Sequence, residues 1–467
     1  MENLFHLREH KTTVRTEFAA GLTTFMAMAY ILMVNAGMFG NFGEGYYQAV
    51  YIATAISAVA GTLLIGLLAN LPLAQASGMG LNAFFVFTVC FGMGFTYANA
   101  LVMVLLDGIV FILLTITGLR KVIFNAIPKS VKVAISAGIG IFIAFLGLQN
   151  AGLVVNDDST LVTMHTFNVA FGKTTWGEIM PILICVLTVI AIGAMSKKKV
   201  KGAVFWGILG GSVVYYILGL VSVGGFYESA VKPNLSLDII EPFRQFGKLS
   251  FGKVFTEGFD FSAWIANNSV GGFVITLLTT MLAFCMVDMF DTLGTLYGAC
   301  SAGNMLDKDG NVPNMERAML ADAVATCVGA VCGTSTVTTF VESASGVCEG
   351  GRTGLTSMFT ALFFFIAMFL APVAALIPSC ATAAALIYVG ILMIGGVRDI
   401  EWSDPAVAVP AFMTMVMMPL TYNISYGIAF GLISYIFIKL FTGKIKEINL
   451  GTWIIGILFT VMFFVSH

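Results

Sequence analysis

Long apolar blocks separated by short polar stretches run the length of this chain. A membrane span needs about 20 apolar residues, fewer where the helix is broken. Blocks of that kind lie at 18–39, 48–69, 79–92, 95–118, 131–148, 176–196 and 201–223. After a polar stretch, 224–264, a second set follows at 270–298, 317–332, 341–349, 355–377, 382–397, 405–421 and 424–442. A last run, 450–466, reads either as an extra span or as an interfacial helix. The pattern predicts an all-α polytopic membrane protein with 14 transmembrane segments, arranged as 7+7. The blocks at 79–92 and 341–349 are short and set among Gly, Ser, Thr and Asn, which predicts short strands and half-helices at spans 3 and 10.

Charge supports the count. With the N-terminus cytoplasmic, 18 of the 23 basic residues fall in inside segments, from Arg8, Lys11 and Arg15 to Lys439, Lys444 and Lys446. The outside keeps Lys173, Lys232, Arg244, Lys248 and Lys253. This obeys the positive-inside rule and predicts a multi-pass cell-membrane protein. The first apolar run begins near Glu17 after a charged stretch and is followed by many more, so no cleavable signal peptide is expected.

Because seven is odd, a duplicated half inserts upside down relative to the first. Two sequence echoes point to such a duplication. Ala53-Thr-Ala-Ile-Ser-Ala-Val-Ala-Gly61 resembles Ala321-Asp-Ala-Val-Ala-Thr-Cys-Val-Gly329 in the second span of each half. Ile127-Pro128 followed by Gly140-Ile141 matches Ile377-Pro378 followed by Gly390-Ile391 at the same internal spacing. In order, and with a short polar-rich segment third in both halves, they predict an inverted repeat.

Composition removes other classes. The chain is 58% hydrophobic and 10% charged, against about 45–50% and 25% in soluble domains, which excludes a soluble enzyme and a disordered protein. A net charge of −2 leaves no basic footprint for nucleic acid. The eight cysteines form no Cys-x-x-Cys and read as small buried hydrophobes, so neither metal nor cofactor is expected. His6, His10, His165 and His467 all lie near the ends or in a polar loop, so proton chemistry inside the membrane falls to carboxylates.

In inverted-repeat transporters the site lies near the midplane, where two discontinuous helices meet. The candidate segments are Ala76-Ser-Gly-Met-Gly-Leu-Asn-Ala-Phe84 and Gly333-Thr-Ser-Thr-Val-Thr-Thr-Phe-Val-Glu-Ser-Ala-Ser-Gly346, each an extended lead before a helix start with unpaired N–H groups. Gly78 and Gly80 also suit plain close packing. Three acids stand out, Asp288, Asp291 and Glu342, because a carboxylate at the bilayer centre costs about 2.5–3.5 kcal/mol on insertion scales. Asp288 and Asp291 are i,i+3 and share a helix face; capping or pairing with a structural base is the alternative. Glu342 either caps its own helix or binds substrate. Asn82 is an amphoteric amide that either meets substrate or bonds between helices. Carboxylates, an amide and backbone N–H groups suit a planar solute carrying donors and acceptors, with Phe84, Phe290 and Phe340 available for stacking. Gly350-Gly-Arg-Thr-Gly354 lacks a phosphate-loop ending and reads as a surface turn.

Four motifs carry a family resemblance: Gly21-Leu-Thr-Thr-Phe-Met-Ala-Met-Ala-Tyr30, Gly78-Met-Gly-Leu-Asn-Ala-Phe84, Asp288-Met-Phe-Asp-Thr-Leu-Gly-Thr295, and Glu342-Ser-Ala-Ser-Gly346 with Gly351-Arg-Thr-Gly-Leu355. Over about 3–447 the chain resembles the AzgA-like guanine/hypoxanthine permeases, a branch of the nucleobase–ascorbate (nucleobase:cation symporter) family. The resemblance implies the uracil-transporter fold, proton symport of a purine base, elevator-like movement and a homodimer through the gate domains. On this chain it implies a core domain at 1–130 and 266–378, a gate domain at 131–223 and 379–447, an extracellular linker at 224–265 and a C-terminal apolar segment at 448–467. It implies substrate contacts from Asn82, Asp288, Phe340, Val341 and Glu342, and proton coupling through Asp288, Asp291 and Glu342. Related uracil carriers have a His one turn beyond the span-8 acid; this helix has Asp291 and no His, which favours guanine, hypoxanthine or adenine.

The competing classes are an adenine or other nucleobase permease of the same fold, an anion carrier, a channel and a membrane-embedded enzyme. Helix N-termini alone would suit an anion, but three acids repel one. An enzyme would need a nucleophile–base or metal constellation within the spans, where there is no His.

Overall fold

The computed structural model describes residues 5–118, 127–221, 238–307 and 312–465. The ring of Phe290 and the basic residues Arg120, Lys121, Lys232 and Lys308 lie outside the described residues.

The first apolar block is two helices, α1 (Val14–Met28) and α2 (Tyr30–Phe39), broken at Ala29. Thr13 caps α1 by accepting the Thr16 N–H at 3.2 Å. After α3 (Tyr46–Ala69) comes a three-residue strand, β1 (Gln75–Ser77), and then a short helix, α4 (Met79–Ala83), continued by a π-helical stretch over Phe84–Gly92. Next are α5 (Tyr97–Thr117) and α6 (Lys129–Asn150), a hairpin of β2 (Val154–Asp157) and β3 (Leu161–Met164), and the helices α7 (Trp176–Lys197) and α8 (Ala203–Leu220).

The described part of the predicted linker is folded. Short helices α9 (Ile240–Gln245) and α10 (Lys253–Thr256) pack on α3 and α5, and α11 (Ser262–Asn267) packs on the long helix that follows it. Asn99 of α5 clamps this segment by donating to the carbonyls of Gly258 (2.8 Å) and Asp260 (2.9 Å). Neither this packing nor the β2–β3 hairpin is visible as an apolar block, because both are built from mixed polar sequence.

The second half gives α12 (Val270–Ala302), α13 (Met315–Cys332), β4 (Val337–Thr339), α14 (Ser343–Cys348), α15 (Gly354–Met368) and α16 (Ala371–Ala374). It ends with α17 (Ser379–Met393), α18 (Pro405–Leu420), α19 (Ile424–Phe441) and α20 (Leu450–Val465), the last packed on α12 and α19. Among the described residues, nine helical stretches are long and apolar enough to cross a membrane, and four apolar helices of 10–17 residues accompany them. The chain is a helical polytopic membrane protein.

The helices pack in two groups. In one, α3 lies against α13 and α15, α13 against α5, and α15 against α1; in the other, α6 lies against α17 and α18, α18 against α19, and α17 against α7. The echoed segments meet each other in space. α3 packs on α13, and α6 crosses α17 where a Cβ on Gly140 would stand 2.8 Å from the Gly390 carbonyl. Glycine permits that backbone approach. β1 and β4, one from each half, pair antiparallel with Gln75 opposite Thr339, Ala76 opposite Thr338 and Ser77 opposite Val337.

Candidate functional site

Strands this short form where helix is disfavoured. The Thr336–Thr339 run is β-branched throughout, and such side chains are restricted in helices and fit a pleated surface. Bonds beyond the ladder extend the crossing: Gly78 N–H donates to the Thr336 carbonyl, Phe340 N–H to the Ala74 carbonyl, and Ala74 N–H to Ser343 Oγ, each at 3.0 Å. All six strand residues are buried. The chain leaves the crossing by entering α4 on one side and α14 on the other.

A cavity of about 1120 Å³ opens beside the crossing. Tyr30, Asp291, Phe340, Val341 and Glu342 line one wall, and Ile135, Ile139, Val389 and Met393 from α6 and α17 line the other. Lys129 and Lys132, in the first turn of α6, line it as well. Small-ligand sites usually enclose about 300–1,000 Å³, so this is an open vestibule rather than a sealed pocket. Gly80 lies where the two groups touch: a Cβ there would stand 2.5 Å from Ile139 Cγ2.

Of the residues singled out in the sequence, Asp291, Phe340, Val341 and Glu342 face the cavity. Val341 is 50% exposed into it, whereas Phe340 is almost buried. Asp288, one turn before Asp291, is fully buried and does not line it, so the shared helix face divides between cavity and interior. Asn82 is also buried behind the wall. Its carboxamide oxygen accepts from Ser335 Oγ, and its Nδ2 donates to the Ser77 carbonyl at 3.3 Å, joining the two broken segments. Phe84 packs edge-to-face on Phe284, with centroids 4.8 Å apart, inside the protein.

Glu342 makes no side-chain cap on α14. Its Oε1 accepts instead from Tyr30 Oη at 2.5 Å. Thr338 Oγ1 donates weakly to Asp291 Oδ2 at 3.4 Å. Of the two helix starts, the one at α14 departs from expectation and the one at α4 does not. At α14 the N–H groups of Ser343, Ala344 and Ser345 are bonded in turns to the carbonyls of Phe340, Val341 and Glu342. The cavity-facing first turn at Met79 and Gly80 follows Gly78, which offers no side-chain cap, so its early N–H groups lack an intrahelical acceptor.

Tyr30 closes the Gly21–Tyr30 motif, yet nothing local to it forecasts a bond 312 positions away. Glu17 was likewise silent. Fully buried, it accepts from the N–H groups of Arg352 (3.0 Å), Thr353 (3.3 Å) and Thr356 (3.1 Å) and from the hydroxyls of Thr353 (2.9 Å) and Thr356 (2.6 Å), capping α15. No cluster of three His, Cys, Asp or Glu side chains able to hold a metal ion occurs among the described residues.

Residues 15–430 match the family described as Permease family (Xan_ur_permease). The guanine/hypoxanthine permease PbuO of Bacillus subtilis is 38% identical over 466 residues, covering 99% of this chain and 100% of that protein. The adenine permease AdeP of Escherichia coli is 35% identical over 469 residues, covering 100% of this chain and 97% of that protein. In fold, the chain is similar to the transmembrane domain of a cyanobacterium bicarbonate transporter, BicA, with a TM-score of 0.62 at 15% identity, covering 88% of this chain and 97% of that one.

Proposed function

The chain belongs to the nucleobase–ascorbate transporter family of permeases, and from that membership we propose that it imports purine bases, guanine and hypoxanthine, across the cell membrane by proton symport. It is a transporter and not an enzyme. The observation that carries the substrate reading is the Glu342 carboxylate, held by Tyr30 at the wall of a cavity that it shares with Asp291. An ionised carboxylate only accepts hydrogen bonds, and it does so strongly. It therefore selects the N–H-bearing edge of a 6-oxopurine, and the 2-amino group of guanine offers it a further donor. Phe340 and Val341, just before Glu342, are further substrate contacts, while Asn82 and Asp288 support the site from behind. Asp288, Asp291 and Glu342 carry the coupling proton as a set.

The proposed frame is fourteen spans in two inverted halves, supported by the echoed helices that pack on one another and by the β1–β4 pair. The core domain comprises 1–130 and 266–378 and the gate domain 131–223 and 379–447, and two chains pair through their gate domains. With the N-terminus cytoplasmic, the cavity opens inward past Lys129 and Lys132.

Adenine is the second reading, favoured by the similarity to AdeP. Uptake of radiolabelled hypoxanthine and guanine in a cell lacking purine uptake separates the two. Excess guanine and hypoxanthine should compete with each other, with adenine and uracil weak or inert. Strong inhibition by adenine with none by hypoxanthine makes this an adenine carrier. Accumulation that survives a protonophore unchanged rules out proton symport.

A further inference from the structure

We propose that Asp322, outside the cavity, is a positioning residue for the purine site, holding both strands and the cavity-lining turn of α12 in one arrangement; this rests on the purine-permease reading above. Asp322 lies on α13 and is fully buried. Its Oδ1 accepts from Gln75 Nε2 at 3.1 Å and from Thr339 Oγ1 at 3.3 Å, and its Oδ2 accepts from Thr292 Oγ1 at 2.8 Å. Gln75 and Thr339 are directly opposed across the β1–β4 pair. Each of the three donors leads into the site. Gln75 stands three residues before Gly78, Thr339 precedes Phe340, and Thr292 follows Asp291. One carboxylate thus fixes the segments that present Gly78, Phe340, Glu342 and Asp291 to the cavity.

A residue that merely filled space would not need this chemistry. Asp107, equally buried on α5, which packs against α13, interacts electrostatically with the same carboxyl, and neither of its oxygens has a hydrogen-bond partner among the described residues. Keeping two acids together away from water is costly, which an apolar residue at 322 would avoid. What an apolar residue cannot supply is an acceptor for three donors arriving from three segments.

The test measures hypoxanthine uptake kinetics for the full chain in a cell lacking purine uptake, with surface protein quantified alongside. Wild-type uptake comes first, and its absence defeats the purine reading rather than this one. Asp322→Ala should raise KM by about tenfold, the scale of one lost charge-assisted hydrogen bond, beyond any fall in maximal rate from reduced surface protein. Asp322→Asn keeps one acceptor, and Thr292 can rotate to accept from the new amide, so it should recover KM to within about threefold of wild type. Thr292→Val removes only the α12 tether and should raise KM several-fold at normal surface level. It decides the matter if Asp322→Ala does not reach the membrane. Wild-type KM in Thr292→Val, or in a surface-expressed Asp322→Ala variant whatever its maximal rate, overturns the proposal.

Discussion

Tyr30→Phe is the most economical test of how the site is organised. Tyr30 is fully buried at the break between α1 and α2, and its hydroxyl donates to Glu342 Oε1 at 2.5 Å. The substitution deletes one oxygen and leaves the ring packing intact. A hydrogen bond to a charged acceptor contributes about 1.5–3 kcal/mol. Part of that returns when the freed carboxylate turns to water or substrate, which leaves about 1.4 kcal/mol, or tenfold, to appear in substrate affinity. The expected result is a KM for hypoxanthine about tenfold higher at unchanged surface expression. Glu342→Gln replaces one acceptor with an N–H that opposes the purine N–H, so its loss should be larger. If Tyr30 acts through Glu342, the double variant should be no worse than Glu342→Gln alone, because residues in one hydrogen-bonded unit are not additive. Wild-type KM in Tyr30→Phe, or two losses that simply multiply, would refute this reasoning.

Glu342→Ala should abolish uptake while the protein still reaches the membrane; normal transport by a well-expressed variant sinks the site assignment. Asp288→Asn should remove the dependence of uptake on the proton gradient, measured as accumulation with and without a protonophore. Glu17→Ala leaves donors of Arg352, Thr353 and Thr356 without their acceptor and should destabilise the detergent-solubilised protein by about 2–4 kcal/mol, read as a lowered Tm; an unchanged Tm denies the cap its role. Gly354→Ala would place a Cβ within 2.9 Å of the Gly66 backbone, where nothing flexible can yield, so its surface level should fall sharply in an immunoblot while Gly37→Ala, which faces open space, leaves it unchanged.

Membrane spans were legible because desolvation acts on whole blocks of residues, and the positions of the two helix breaks followed from local Gly and Thr chemistry. What stayed hidden depends on pairings between distant segments. Asp288 and Asp291 are equivalent by spacing, and only the packing of α12 turns one to the cavity and the other inward. Asn82, read as a substrate contact or interhelical link, bonds to Ser335, 253 positions away. Tyr30, Glu17 and Asp322 are single polar residues in apolar or mixed helices, and their partners lie in segments distant along the chain. The N–H groups at the start of α14 were expected to be free, but the local turns that consume them are set by φ and ψ rather than by residue type.

The distribution of polarity between the cavity walls bears on how such a site would move. Most hydrogen-bonding groups lie on the wall formed by the strands, α2, α12 and α14, whereas the facing one is mainly Ile135, Ile139, Val389 and Met393, with Lys129, Lys132 and Ser136 as its polar members. Apolar surfaces that slide past one another exchange similar contacts and break no hydrogen bonds. Polar links do cross between the two groups: Lys201 pairs with Glu349, Thr88 Oγ1 donates to the Tyr422 carbonyl at 2.7 Å, and Tyr216 Oη donates to the Leu376 carbonyl. The first is a partly exposed ion pair, a type worth about 0–1 kcal/mol, and the other two are neutral bonds worth about 0.5–1.5 kcal/mol each. Resistance to the elevator-like movement that the family resemblance implies would therefore come mainly from shape, at contacts such as Gly80 on Ile139. The site's own hydrogen bonds, from Tyr30 to Glu342 and from Gln75, Thr339 and Thr292 to Asp322, all lie within one group and can travel with it unbroken.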